Sequence, residues 1–395
     1  MGAEAVASAP YTPRDAKVGD AMMYFDNCAT TQVFDAAADT ALRFMKRDYF
    51  NSSAPYTAAL FNEKELQRAR SAAAATIGAG EKELFFTSGG TESDNTVLFG
   101  AISRQRDRIL ISATEHPAVY EAAMRMKTRA ARITVLPVDG NGVVSARALE
   151  NELDDKCALV SIMHVNNETG VINPVKELAE LTHRLSPGCI FHSDGVQAHM
   201  RIKVNVKELG VDAYSVSAHK VHAPKGVGAL YVARGTRIER LFEGGGQQDG
   251  FRSGTVNLPG IAAYASALKE FEDVRAVERI EEIKNVFLSE LKGCVINSAG
   301  VRTAPHIVSA AFPGLQASTL QNALEEAGVI VGKGSACSSR SSRISRTMES
   351  MGLERSIAQG TVRIGIGALN TKDEAAQACR IINEISAGLL RFKRR

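Results

Sequence analysis

Ala213-Tyr214-Ser215-Val216-Ser217-Ala218-His219-Lys220-Val221-His222-Ala223-Pro224-Lys225-Gly226-Val227-Gly228-Ala229-Leu230-Tyr231-Val232 holds two short β-rich runs, separated by a lysine and a turn bearing Pro and Gly. The same rhythm extends upstream. Runs at 84–86, 109–112, 133–137, 158–163 and 190–193 alternate with helical patterns, which predicts an α/β fold with a mostly parallel seven-stranded sheet sandwiched by helices. Beyond Pro259 the pattern becomes one long amphipathic helix, with Val274, Val277, Ile280, Ile283 and Phe287 at steps of three or four. It reads as a bridge into a smaller α+β domain with strand-like runs at 307–312 and 329–331, a helix over 318–326 and a terminal helix from Lys372. The expected division is a large domain over 27–265 and a small one made of 1–26 with 266–395.

A chain of 395 residues with 45% apolar content buries a full core. Its 47 basic and 44 acidic residues are well mixed, so no stripe follows a phosphate backbone, and direct nucleic-acid binding is not expected. The six cysteines, Cys28, Cys157, Cys189, Cys294, Cys337 and Cys379, form no close pairs. That spacing argues against a zinc ligand set and a disulfide framework, and for reduced thiols in a cytoplasmic compartment. No signal peptide, lipid anchor or membrane span is read.

Three segments carry chemistry. Phe86-Thr87-Ser88-Gly89-Gly90-Thr91-Glu92-Ser93-Asp94-Asn95 follows one predicted strand and opens a helix. Gly89 and Gly90 let backbone N–H groups approach an anion, Thr91 adds a hydroxyl, and the helix dipole favours negative charge there, although the same turn could simply be a capped one. Asp194, in His192-Ser193-Asp194-Gly195-Val196-Gln197, falls at a predicted strand end, where ligands of open α/β sheets bind. A carboxylate there holds a pyridine nitrogen protonated, or else caps a helix. Lys220 also follows a strand and sits among Ser217, His219 and Gly226, a setting that suits a lysine with a depressed pKa carrying pyridoxal phosphate as a Schiff base.

With Phe25-Asp26-Asn27-Cys28-Ala29-Thr30-Thr31, Thr114-Glu115-His116, His164-Val165-Asn166-Asn167-Glu168-Thr169-Gly170, Arg252-Ser253-Gly254-Thr255, Gly334-Ser335-Ala336-Cys337 and Val362-Arg363-Ile364 added in order, the chain resembles the cysteine desulfurases of the class V aminotransferase superfamily, from about Tyr24 to Lys372. The resemblance implies PLP fold type I and pyridoxal 5'-phosphate as cofactor. It also implies roles for individual residues. His116 stacks on the pyridine ring, Asp194 pairs with the ring nitrogen, Gln197 with the ring hydroxyl, and Lys220 forms the Schiff base. Gly90, Thr91, Ser217 and His219 hold the phosphate, with Thr255 reaching in from the second subunit of a homodimer. Arg363 and Asn167 bind the substrate carboxylate, for which a guanidinium fork is the strongest partner.

Cys337 selects the reaction. Cys337-Ser338-Ser339-Arg340-Ser341-Ser342-Arg343 is small, polar and basic, reads as a mobile exposed loop, and has arginines that favour a thiolate. The other five cysteines read as small core residues, Cys28 being the one nearest the site. The interval from Cys337 to Arg363 fits the long-loop members of the family. The implied reaction takes L-cysteine to L-alanine and leaves a persulfide on Cys337 for a sulfur-acceptor protein, either an iron–sulfur assembly scaffold or a tRNA thiolation enzyme. The short tail after the last helix leaves that choice open. No metal ligand set is read, and the metal-binding role left to consider is Cys337 as a transient iron–sulfur ligand. Alternatives within the same cofactor site are a selenocysteine lyase and a class V aminotransferase; a sulfur-relay or scaffold protein without turnover is the non-enzymatic one. His164, His183, His199 and His306 match no role.

Overall fold

The computed structural model describes residues 22–129, 131–333 and 344–393. The strands are, in chain order, β1 (Met23–Phe25), β2 (Leu84–Thr87), β3 (Arg108–Ser112), β4 (Arg132–Leu136), β5 (Cys157–Ser161), β6 (Ile190–Asp194), β7 (Ala213–Ser217), β8 (Gly228–Val232), β9 (Val295–Ile296), β10 (Ile307–Ala311), β11 (Val329–Val331) and β12 (Thr361–Gly365). Seven of them form one sheet in the order β2-β8-β7-β6-β5-β3-β4. Its pairs β4/β3, β3/β5, β5/β6 and β6/β7 are parallel, and β8 runs against both of its neighbours. Every residue of β5, β7 and β8 is buried, so both faces of the sheet are covered. That burial explains why these strands read as near-continuous apolar runs rather than alternating ones.

Each of the seven expected runs is a strand. The run at 158–163 ends early because the chain leaves the sheet after Ser161, and the backbone N–H of His164 then donates to the carbonyl of Asp194. One expectation is corrected. The single long helix after Pro259 is two helices, Leu258–Asp273 and Ala276–Glu290, broken where Arg275 takes a left-handed conformation (φ 50°). The turn lets Ile280, Ile283 and Phe287 face the core, while Val274 sits in the break and is only half-buried. The helix Leu258–Asp273 begins with Asn257, whose side chain accepts from the N–H of Gly260, and with a proline in its first turn, where the missing N–H costs nothing.

The rest of the chain forms an antiparallel sheet, β12-β10-β9, and a parallel pair, β1 with β11. Isolated bridges from Asp26 to Gly365 and from Gly332 to Arg363 stitch that pair to β12. The segment after β1 is thereby carried across to the end of the large sheet, next to the turn after β7. Phe25, the last residue of β1, meets the ring of Phe287 edge-on at 5.0 Å, and both are fully buried. Phe287→Ala leaves a cavity under β1 and should destabilise the protein by about 3–5 kcal/mol, read from the denaturant midpoint.

Candidate active site

A cavity of about 250 Å³ opens at the ends of β6 and β7, lined by Cys28, Ala29, Gly90, Thr91, Asp94, His116, Met163, Asn167, Asp194, Val196, Gln197, Ser217, His219, Lys220 and Arg363. It lies at strand ends and at the start of the helix Gly90–Gly100, where open α/β sheets hold ligands. All the sequence-predicted site residues within the described part of the chain converge here except Thr255.

Lys220 closes a short turn after β7, and its Nζ donates to the carbonyls of Cys28 at 2.6 Å and Ala29 at 2.7 Å. Burial, helped by the charge of Arg363, lowers its pKa to about 8. The neutral amine is therefore accessible near physiological pH. The backbone around it is laced to the segment after β1: Thr31 donates its hydroxyl to the carbonyl of His219 and accepts the N–H of His222. Arg201, buried and with its guanidinium 4.7 Å from the Phe271 ring centre, donates to the carbonyl of Lys220 at 2.7 Å.

Asp194 accepts the N–H of Val196 at 2.9 Å, and burial raises its carboxyl to about 6 against the opposing pull of that N–H and of Lys220. A cationic ring nitrogen beside it would restore full ionisation. Gln197 donates to the carbonyl of Cys28 at 3.0 Å, and its Oε1 lies 2.9 Å from Nε2 of His306. Because the amide oxygen only accepts, His306 donates from Nε2 and so orients Gln197. That corrects the reading of His306 as a residue without a role at the site. His164, His183 and His199 make structural contacts, to Tyr214, Asp212 and Thr76.

At the other end of the cavity the helix Gly90–Gly100 presents its free N–H groups, with Thr91, Ser217 and His219 beside them. Gly89 precedes it at φ 151°, and a Cβ on Gly228 would stand 2.6 Å from the Cα of Gly89. Two glycines thus set the close approach of β8 to this turn. His116 caps the helix Pro117–Met126, its Nδ1 accepting the N–H of Ala118 at 3.1 Å.

Arg363 is 3% exposed on β12; Nη1 donates to the carbonyl of Asn167 and Nη2 to Asp26, each at 2.8 Å. Its Nε has no partner among the described residues. Thr255 lies outside the cavity, exposed in a separate groove with Phe242, Gly244 and Gln247. Cys337 lies outside the described residues. The chain re-enters at Ile344, where Thr347 donates to Glu168 at 3.1 Å and Arg346 sits 3.5 Å over the Tyr120 ring and donates to the carbonyl of Glu115. Asp94, Arg201 and His306 were missed as functional candidates. Asp94 was visible inside the quoted glycine motif; Arg201 and His306 carry no local signal.

A carboxylate at one end, helix N–H groups and hydroxyls at the other, and an amine with an imidazole between them fit a flat heteroaromatic ring bearing an anionic arm. Among the described residues no group of three or more His, Cys, Asp or Glu could hold a metal ion, and no helix is long and apolar enough to cross a membrane. Burial, with Lys220, Arg346 and Arg363 adding to it, lowers the pKa of His116 to about 4. Its ring should stay neutral from pH 5.5 to 8, with the proton on Nε2, as read from nitrogen-15 shifts; a titration near the ordinary histidine value of about 6.5 would contradict this.

The chain matches the family model Aminotransferase class-V over residues 23–377. A "Cysteine desulfurase" from Trichormus azollae is 33% identical over 373 residues, 92% of each chain. A "Cysteine desulfurase IscS" from Clostridium botulinum is 33% identical over 92% of this chain and 94% of its own, and a "Cysteine desulfurase, mitochondrial" from Eremothecium gossypii is 35% identical over 97% and 81%. Among solved structures, a "NIFS-LIKE PROTEIN" superposes with a TM-score of 0.87 at 33% identity, over 93% of this chain and all of that one. SspA in complex with cysteine gives 0.78 at 27% identity, over 88% and 99%. With this sheet, this cavity and relatives of that similarity along nearly its whole length, the chain belongs to the class V aminotransferase family and, within it, to the cysteine desulfurases.

Proposed function

We propose that the protein is a pyridoxal phosphate-dependent cysteine desulfurase that converts L-cysteine to L-alanine and carries the sulfur away as a persulfide on Cys337. The observation that supports this most is the convergence of Lys220, Asp194, His116 and Arg363 on one cavity. When bound, pyridoxal 5'-phosphate supplies an aldehyde that captures amines and a ring that accepts electrons. Gly90, Thr91, Ser217 and His219 would hold its phosphate, Asp194 would pair with its ring nitrogen, Gln197 with its ring hydroxyl and His116 with the face of the ring, while Lys220 would be the residue of attachment. Residues 27–265 would form the cofactor-binding domain, and 1–26 with 266–395 the one bearing Cys337.

Arg363, with Asn167 beside it, binds the carboxylate of L-cysteine. Lys220, once free, takes the Cα proton, a task matched to an amine whose pKa is about 8. The thiolate of Cys337 then forms an S–S bond with the substrate sulfur as the Cβ–S bond breaks, the electron pair stays with carbon, and protonation completes alanine. L-Cysteine and the Cys337 thiol thus give L-alanine and the Cys337 persulfide, which passes to a sulfur-acceptor protein of iron–sulfur assembly or tRNA thiolation in a cytoplasmic setting.

The working unit in this reading is a homodimer in which Thr255 serves the partner's phosphate site. Its exposure outside its own cavity supports that, as do the exposed apolar side chains Leu42, Met45, Tyr49, Leu60 and Phe61. With a thiol reductant, L-cysteine should yield alanine and sulfide in equal amounts, and Cys337→Ala should abolish both. Arg363→Ala should lower kcat/KM by roughly 10- to 100-fold, mainly through KM. Continued turnover by Cys337→Ala would overturn its role as sulfur acceptor.

A further inference from the structure

Asp94, on the helix Gly90–Gly100, is a second carboxylate in the wall of the cavity, and it is 1% exposed. Its Oδ1 has no hydrogen-bond partner among the described residues; Nε2 of His192 is 3.6 Å away. Ser215 lies beside it and favours its charge. The Ser215 hydroxyl lies 2.9 Å from His192 Nε2, and His192 Nδ1 lies 2.8 Å from the Ser161 hydroxyl. His192 is thus tied through its two ring nitrogens to Ser161 and Ser215, and it stands beyond hydrogen-bond distance of Asp94.

An ionised carboxylate in that position would be buried with Oδ1 unpartnered and would face the charge of Asp194. Asp194 approaches from β6, and burial, then the Asp194 charge, push the Asp94 carboxyl well above its usual range; Glu115, on the turn after β3, adds to this but is itself raised by burial. His192 is fully buried and held neutral, so it supplies no counter-charge. Asp194 differs, since it takes a backbone N–H from Val196 and lies in the field of Lys220.

We infer that Asp94 is a positioning residue that stays a neutral carboxylic acid, so that the Asp94–Asp194 pair carries one negative charge and carries it on Asp194. The inference rests on the reading of Asp194 as the partner of the cofactor ring nitrogen. It means that the ring meets a single carboxylate charge, fixed in place by a neutral neighbour rather than shared with it.

The test is the carboxyl spectrum of protein labelled with carbon-13 at aspartate Cγ, recorded between pH 6 and 8, both loaded with pyridoxal phosphate and after its removal. Subtracting Asp94→Asn from wild type should reveal one protonated carboxylic acid that does not titrate in this range. The melting temperature of Asp94→Asn relative to wild type should also climb steadily as pH rises from 5 to 8. A raised native pKa makes the wild type lose stability as pH passes above the unfolded value near 4, and the amide has no such loss. A difference spectrum showing an ionised carboxylate would overturn the inference. Should the variant not fold, the wild type alone decides: a non-titrating protonated aspartate signal supports the inference and its absence refutes it. Failure to take up the cofactor would instead refute the functional reading, while the cofactor-free spectrum would still judge Asp94.

Discussion

A buried ammonium held by two backbone carbonyls, those of Cys28 and Ala29, is the constraint on which the site is built. The carbonyl dipoles hold Nζ in place, while burial, helped by the charge of Arg363, lowers its pKa. Those carbonyls come from a segment 192 and 191 residues away from Lys220 in sequence. They arrive because β1 pairs with β11 and Asp26 bridges to Gly365, which fixes residues 23–26 against β11 and β12. The hydroxyl of Thr31 and the guanidinium of Arg201 then secure the backbone of residues 219–222 from two sides. Gln197 uses the same Cys28 carbonyl, so the lysine and the carboxamide share one acceptor and are oriented together.

Charge is distributed so that each ionisable group has one task. The histidines nearest the cavity, His116 and His219, are neutral through burial and nearby cations, which suits them to packing and hydrogen bonding. Arg363 keeps its charge because Asp26 pairs with it. Two cations, Lys220 and Arg363, thus line the same cavity as the carboxylate of Asp194.

The fold was legible in the sequence because β5, β7 and β8 are buried on both faces, and apolar runs only five residues long, bounded by turns and repeating along the chain, are too short for helices. The helix break at Arg275 was not legible, since apolar steps of three and four continue through it and the left-handed residue is neither Gly nor Asn. Site residues in local motifs, Gly90, Thr91, Asp194, Lys220 and Arg363, could be read from their neighbours. Arg201 reaches Lys220 across 19 residues and His306 reaches Gln197 across 109, and no short motif encodes such contacts. Asp94 stood inside a motif that was read, but its protonation state depends on β6 and β7 lying alongside it, which only the folded chain supplies.

Borohydride reduction of the yellow protein, followed by peptide mapping, tests the central claim most directly, because it fixes the cofactor to the amine that holds it. The pyridoxyl group should be recovered on the peptide containing Lys220 and be lost from that position in Lys220→Ala. Recovery on another lysine, or no covalent cofactor in a protein that has bound it, would contradict the role assigned to Lys220.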